Sequence, residues 1–241
     1  MEIDPLIVGL IVIISTAVGL AFYLDRRRTR KRQEDIRTAA EAMGLEFQAF
    51  ADPAFENRVA MFNLFDKGHS KKILNIVVGE VPDFEIVVFD YHYSVGRGKN
   101  QKNHRRAVAL IESTNLYVPA FTLRPESMFD RLGSIFGLQD IDFDSHPLFS
   151  KMFVLKGENE AQVREFFDDS VLSLLQKKPK VCLEANEGRM ILYYAVKPPK
   201  ENQVKALFSE ALEVHTILAD RARECPIKYR QELNNELEFD A

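Results

Sequence analysis

The sequence predicts an α+β domain, a mostly antiparallel sheet with packed helices, preceded by one N-terminal transmembrane helix. Three observations lead there. A run of 19 residues near the start carries no charge. Several β-branched runs follow one another across short turn-forming connections. Helical periodicities fall between groups of strands rather than after every strand, which argues against a parallel, helix-alternating sheet. No 20–50-residue repeat and no low-complexity linker interrupts residues 45–220, so one compact domain is preferred over two tightly packed lobes meeting near 137–150.

The uncharged run is LIVGLIVIISTAVGLAFYL, residues 6–24. At about 1.5 Å per residue it reaches roughly 28 Å, close to the ~30 Å hydrocarbon core of a bilayer. A cleaved export signal would place basic residues before the apolar run and a small-x-small site after it. Here MEID precedes the run and RRRTRKR, Arg26 to Arg32, follows it. Such a cationic cluster resists translocation, so the C-terminal side is expected in the cytoplasm of the cell, at its inner membrane. Ser15 and Gly19 form a small-xxx-small pair of the kind that lets helices approach, a weak signal for self-association. The chain then divides into a short extracytoplasmic N-terminus at 1–5, the span at 6–24 and a basic juxtamembrane segment and helix at 25–44. An α+β domain at 45–222 and a polar tail at 223–241 complete it.

The elements follow in order. QEDIRTAAEAMGLEF has Ile36, Ala39, Ala40 and Met43 at helical spacing and a stop at Gly44; no Pro or Gly breaks 20–43, so this helix continues the span. Residues 46–70 give no clear period. ILNIVVGEV (73–81), DFEIVVFDYHYSV (83–95) and HRRAVALIES (104–113) read as strands, the last two joined across GRGKNQKN as a long hairpin. VPAFTLR (118–124) is a further short strand. Pro125 suits the first turn of a helix, ESMFDRLGSIF. KMFVLKG (151–157) returns to strand. NEAQVREFF starts a helix capped by Asn159, with Gln162 three residues on, and DSVLSLLQKK is helical again. KVCLEA and RMILYYAV flank NEG as a hairpin over 180–196. The longest soluble helix is ENQVKALFSEALEVHTILADRARE, with Val204, Leu207, Phe208, Ala211, His215 and Leu218 inward.

Charge and cysteines narrow the function classes. Residues 1–32 carry six Lys/Arg against Glu2, Asp4 and Asp25, which leaves −7 on the rest of a chain whose total is −4. A domain of that sign has no overall attraction for phosphate backbones, so no nucleic-acid partner is expected. Cys182 and Cys225 are too few for a disulfide framework, and Cys182 in KVCLEA reads as a buried thiol.

Two stretches invite a site. In QDIDFDSHP, Asp140, Asp142, Asp144 and His146 occupy alternate positions and would share one side of an extended chain. Three carboxylates and an imidazole suit a divalent metal. The comparison with a calcium loop fails, since Ser145 and Lys151 stand where Gly and Glu are required. Alternate strand residues also lie nearly 7 Å apart, from a rise of about 3.3 Å each. A polar face ahead of the turn at Pro147 is therefore the preferred reading. The second stretch is GRGKN, which lacks the Gly and the Ser/Thr of a phosphate loop. Its basic residues remain: Arg97, Lys99, Lys102, Arg105 and Arg106 lie within ten positions and could contact anionic lipid or phosphate, or simply keep a hairpin soluble. His92 and Asp90 could share a strand face, but no nucleophile pattern accompanies them. Phe89, Tyr91 and Tyr93 read as cross-strand packing. No catalytic residue and no cofactor is assigned, beyond a metal at 140–146.

FDYHYSVGRGKNQKNHRR, FTLRPESMFDRLGSIFG and DIDFDSHPLFSKMFVLKG resemble an uncharacterised family of bacterial proteins with one N-terminal span and a cytoplasmic domain of unknown function, a likeness that covers roughly residues 70–200. The resemblance implies a bacterial membrane protein and supplies no site residues. The leading expectation is an interaction or scaffold module held at the inner membrane face, with a membrane-associated protein partner. A metal-dependent enzyme at 140–146 and an anionic-lipid reader at 97–106 are the alternatives.

Overall fold

The computed structural model describes residues 5–128, 139–186, 188–195 and 203–224, the side chains of 5–8, 10, 11, 128 and 203 excepted. It opens with one uninterrupted helix, α1, Pro5–Ala42. Gly44, at φ +69°, ends it, while Leu45 N–H returns to the Ala40 carbonyl at 2.9 Å. That is the left-handed stop that glycine supplies at low cost. Among the described residues no helix is long and apolar enough to cross a membrane. The side chains of Leu6, Ile7, Val8, Leu10 and Ile11 in the apolar run lie outside the described set.

Eight strands form one antiparallel sheet in the order β1-β2-β3-β4-β8-β7-β5-β6. These are β1 Glu46–Phe50, β2 His69–Val81, β3 Phe84–Val95, β4 Lys102–Ser113, β5 Phe121–Pro125, β6 Phe153–Gly157, β7 Val181–Asn186 and β8 Arg189–Tyr194. The sheet runs unbroken from β1 to β6, so the alternative of two lobes is not what forms. The period-2 pattern sorts the side chains between its faces. From β3, Ile86 and Val88 enter one apolar layer, whereas Val87, Phe89, Tyr91 and Tyr93 enter the other.

The first layer is covered by the C-terminal part of α1 through Ile36 and Ala40, and by α4 Pro147–Met152, α5 Glu160–Phe166, α6 Asp169–Gln176 and α7 Gln203–Glu224. The second is covered by two short helices, α2 Pro53–Val59 and α3 Asn63–Asp66, carrying Phe55, Val59, Phe62, Leu64 and Phe65. Asp52 caps α2, accepting from Phe55 N–H at 2.7 Å ahead of Pro53. Asn159 caps α5 as the sequence indicates, accepting from Gln162 N–H at 3.1 Å.

Several expectations need correction. Helices α2, α3 and α4 were not legible as periodic segments, because each is under two turns: α2 is marked only by its Asp52 cap and Pro53, α4 only by Pro147, and α3 has no side-chain cap. Of the helix expected after Pro125, residues Glu126–Met128 form a 3-10 turn and 129–138 lie outside the described residues. Glu187, in the turn of the 180–196 hairpin, and the tail from Cys225 also lie outside them. Residues 139–146 are an irregular segment ending in a turn, not an extended strand.

Candidate functional site

The sheet positions three polar groups. The first fastens α1. A bulge in β2 gives Asn75 a φ of +55° and turns its side chain inward, 6% exposed, where Nδ2 donates to Asp90 Oδ2 at 2.8 Å. Arg32 of α1 completes the arrangement, its Nε donating to Asp90 Oδ2 at 2.7 Å and Nη2 to Oδ1 at 2.6 Å. This is a bidentate fork on a carboxylate only 4% exposed. Asp90 is thereby hydrogen-bonded to Arg32 and Asn75, and burial lowers the His92 imidazole below its ordinary value although the Asp90 charge opposes this.

The second is a basic surface. Arg97, Lys99, Lys102 and Arg105 are exposed around the β3–β4 turn, where Gly96 and Gly98 adopt positive φ. Arg105 reaches Asp25 of α1 at 3.3 Å. The start of β4 therefore stands beside the part of α1 that bears Arg26, Arg27, Arg28, Arg30 and Lys31, all exposed. Arg106 departs from the set: as the β4 neighbour of Tyr91 it points to the opposite face and is half-buried. Ser15 and Gly19 are exposed, and nothing lies within 4 Å of the position a Gly19 Cβ would take.

The third lies under α2 and α3. Glu184, 2% exposed, accepts from Tyr193 Oη (3.1 Å) and Arg124 Nη2 (3.3 Å) on one oxygen and from Leu64 N–H (3.3 Å) on the other. Arg124 is 7% exposed, and Lys67, just past α3, lies with its charge among Arg124, Glu184, Cys182 and Arg106. Burial, then Arg124, pulls the Lys67 ammonium down to about 8. Burial pushes the Cys182 thiol up to about 12. Tyr91, Tyr93 and His104 form a ring ladder beside this group, with centroids 5.2 and 4.9 Å apart. The signal for it was present in the sequence: FTLRP and VCLEA each carry a charge at the register that faces inward.

The 140–146 segment does something else. Ile141 N–H donates to the Leu155 carbonyl, and Asp140 Oδ1 accepts from Leu155 N–H, both at 2.8 Å. The pair covers the outer edge of β6, which would otherwise present unpaired backbone groups. Ile141 is buried and Phe143 packs edge-on against Phe149 at 5.8 Å. Asp142 and Asp144 are exposed, and His146 lies 3.8 Å from Asp169 of α6. The four predicted ligands do not converge, and among the described residues no group of three or more His, Cys, Asp or Glu is placed to hold a metal ion.

No family model matches the chain, and no curated protein matches it. Among solved structures, the crystal structure of the mycobacterial trehalose monomycolate transport factor A, TtfA, is similar, with a TM-score of 0.57 at 11% identity over 82% of this chain and 97% of that one. At that identity the likeness shows the fold alone: an α+β architecture with packed helices around an antiparallel sheet of eight strands.

Proposed function

We propose that the chain is a single-pass membrane protein whose α+β domain is an interaction module held against the cytoplasmic face of the inner membrane, its basic hairpin turned to the headgroups. The observation that carries this reading is the docking of α1. The helix that contains the apolar run is also a structural part of the domain, fastened by Ile36, Ala40 and the Arg32–Asp90 fork. Val12, Ile13, Ile14, Val18, Leu20, Phe22 and Tyr23 are exposed, between 53% and 69%. A helix apolar on all sides calls for a nonaqueous surrounding. The basic residues after it favour retention on the cytoplasmic side. A rigid continuation from span to domain limits the domain to a thin layer, which raises its effective concentration for membrane-bound protein partners. The hairpin cations then add roughly 1 kcal/mol each on an anionic leaflet.

The test uses the full chain with a C-terminal epitope. Carbonate-washed membranes should retain it, protease added to intact spheroplasts should spare the epitope, and cross-linking in membranes should capture a reproducible partner. Release by carbonate, or digestion of the domain from outside, overturns the reading.

A further inference from the structure

We propose that the cationic group beneath α2 and α3 is a binding site for a small oxyanion, a phosphate or carboxylate, held by Lys67, Arg106 and Arg124. The argument rests on what the buried donors lack. Lys67 Nζ, Arg106 Nε and Arg124 Nε are each shielded from solvent and have no hydrogen-bond partner. Arg124 is the most enclosed, its side chain 8% exposed. Buried polar groups in folded proteins are nearly always paired, and an unpaired one marks a missing water or ion. A water would satisfy a donor but leave the charge. Arg124 bonds Glu184, whose two oxygens already accept from Tyr193, Arg124 and Leu64, and Lys67 and Arg106 lie within electrostatic reach of the group, so among these residues three cations stand against one carboxylate. The surplus is two positive charges in a poorly solvated place, where like charges oppose one another.

An oxyanion answers both deficits, because its oxygens accept several N–H bonds while its charge cancels the surplus. Lys67 reports the same imbalance: burial and Arg124 draw its ammonium down to about 8, and a bound anion would draw it back up. A cleft of about 410 Å³, lined by Asn63, Thr122 and Glu184 among others, opens beside the group. Glu184, which lines it, accepts from the Arg124 guanidinium at 3.3 Å, while Lys67, Arg106 and Arg124 themselves lie outside the lining.

The experiment takes the full chain in detergent micelles at pH 7 and follows thermal unfolding by circular dichroism at matched ionic strength. Inorganic phosphate, acetate and chloride are compared. Phosphate or acetate, but not chloride, should raise the midpoint saturably, by roughly 5 °C near saturation. Phosphate alone acting assigns a phosphate ligand, and acetate acting equally assigns a carboxylate-tolerant one. Lys67→Met should abolish the response and, in chloride, melt no lower than the parent, since removing an unpaired buried charge relieves a cost. Arg106→Gln serves as the second variant and should weaken the response. An identical midpoint in all three anions, or a Lys67→Met protein that responds like the parent, overturns the proposal.

Discussion

Replacing Arg32 by Met tests whether α1 is fastened to the sheet by charge. Asp90 would keep its Asn75 bond but lose two charge-assisted bonds of 2.6 and 2.7 Å while 4% exposed. Stranding one partner of a fully buried pair costs about 3–5 kcal/mol. The Arg32 side chain is 37% exposed, so water reaches the vacated side and the expected loss falls to about 2–3 kcal/mol. In a chain of this size that lowers the midpoint by roughly 5–10 °C. Asp90→Asn should cost less, about 1–2 kcal/mol, because it strands only a guanidinium that can turn to solvent. The double variant should then fall short of the summed losses, a coupling that only a direct interaction produces. The chain contains no Trp, so circular dichroism of the detergent-solubilised protein is the suitable readout. Arg28→Met, at an exposed position of the same helix, is the control and should stay within about 0.5 kcal/mol of the parent. If Arg32→Met melts no lower than Arg28→Met, the fork does not fasten the helix and the docking argument fails with it.

Four further outcomes follow from single contacts. Gly68→Ala should cost at least about 2 kcal/mol in urea unfolding, because φ is +69° and the new Cβ would lie 2.2 Å from the Ser94 carbonyl oxygen. Asp140→Ala should cost about 1 kcal/mol and promote concentration-dependent aggregation by light scattering, having freed the β6 edge at Leu155; Asp142→Ala should do neither. Asp168 caps α6, and although burial raises its carboxyl, the Ser170 hydroxyl, the Val171 amide and Arg221 outweigh it and hold the group below the usual carboxylate range. A depressed folded value means stabilisation present above the unfolded carboxylate range near ~3.9 and lost as pH falls through the folded value. The deficit of Asp168→Ala, about 1 kcal/mol at pH 7, should therefore shrink below pH 4. The Cys182 thiol, buried and pushed up to about 12, should resist alkylation at pH 8 until the chain unfolds, as peptide mapping would show.

How much could be read from the sequence depended on range. The β-branched alternation of 73–81, 83–95 and 104–113 yields β2, β3 and β4, and the Asn159 cap is found where Asn-x-x-Gln places it. Local signals sufficed because each is satisfied within a few residues or one hairpin. The polar groups were less legible. Arg32 and Asp90 are 58 residues apart, and Leu64 and Glu184 are 120 apart. No periodicity reports such pairings. Asp140 misled for a related reason: alternate acids suggest a shared face, yet the backbone of β6 consumes the first of them and the chain turns before the others align. Arg106 was grouped with its exposed neighbours because it is adjacent in sequence, although strand geometry sends it to the other side.

That last point identifies what the β3–β4 hairpin has to guarantee. Along it, Asp90 and Arg105 point to the α1 side while Tyr91 and Arg106 point to the α2–α3 side, residue by residue. Because the side-chain period is two, a slip of one position would exchange the faces: the fork would lose its carboxylate and Tyr91 would enter the α1 side. Pairing continues without a break from Phe84 opposite Ser113 to Val95 opposite Lys102, so its register is fixed over the whole length of the hairpin. Two irregularities lie on the other side of β3, where β2 shifts register between His69 and Lys72 and again between Leu74 and Val77, the second placing Asn75 against Asp90. Leu74 lies opposite Asp90 before that bulge and Val77 opposite Val88 after it, so deleting Asn75 would straighten β2 and leave both flanks on their present faces, removing the Asn75–Asp90 bond and the bulge together. Asn75→Ala keeps the extra residue and loses only the bond, so a deletion that melts lower than Asn75→Ala assigns the difference to the bulge itself, and an equal midpoint gives the bulge no role beyond placing the amide.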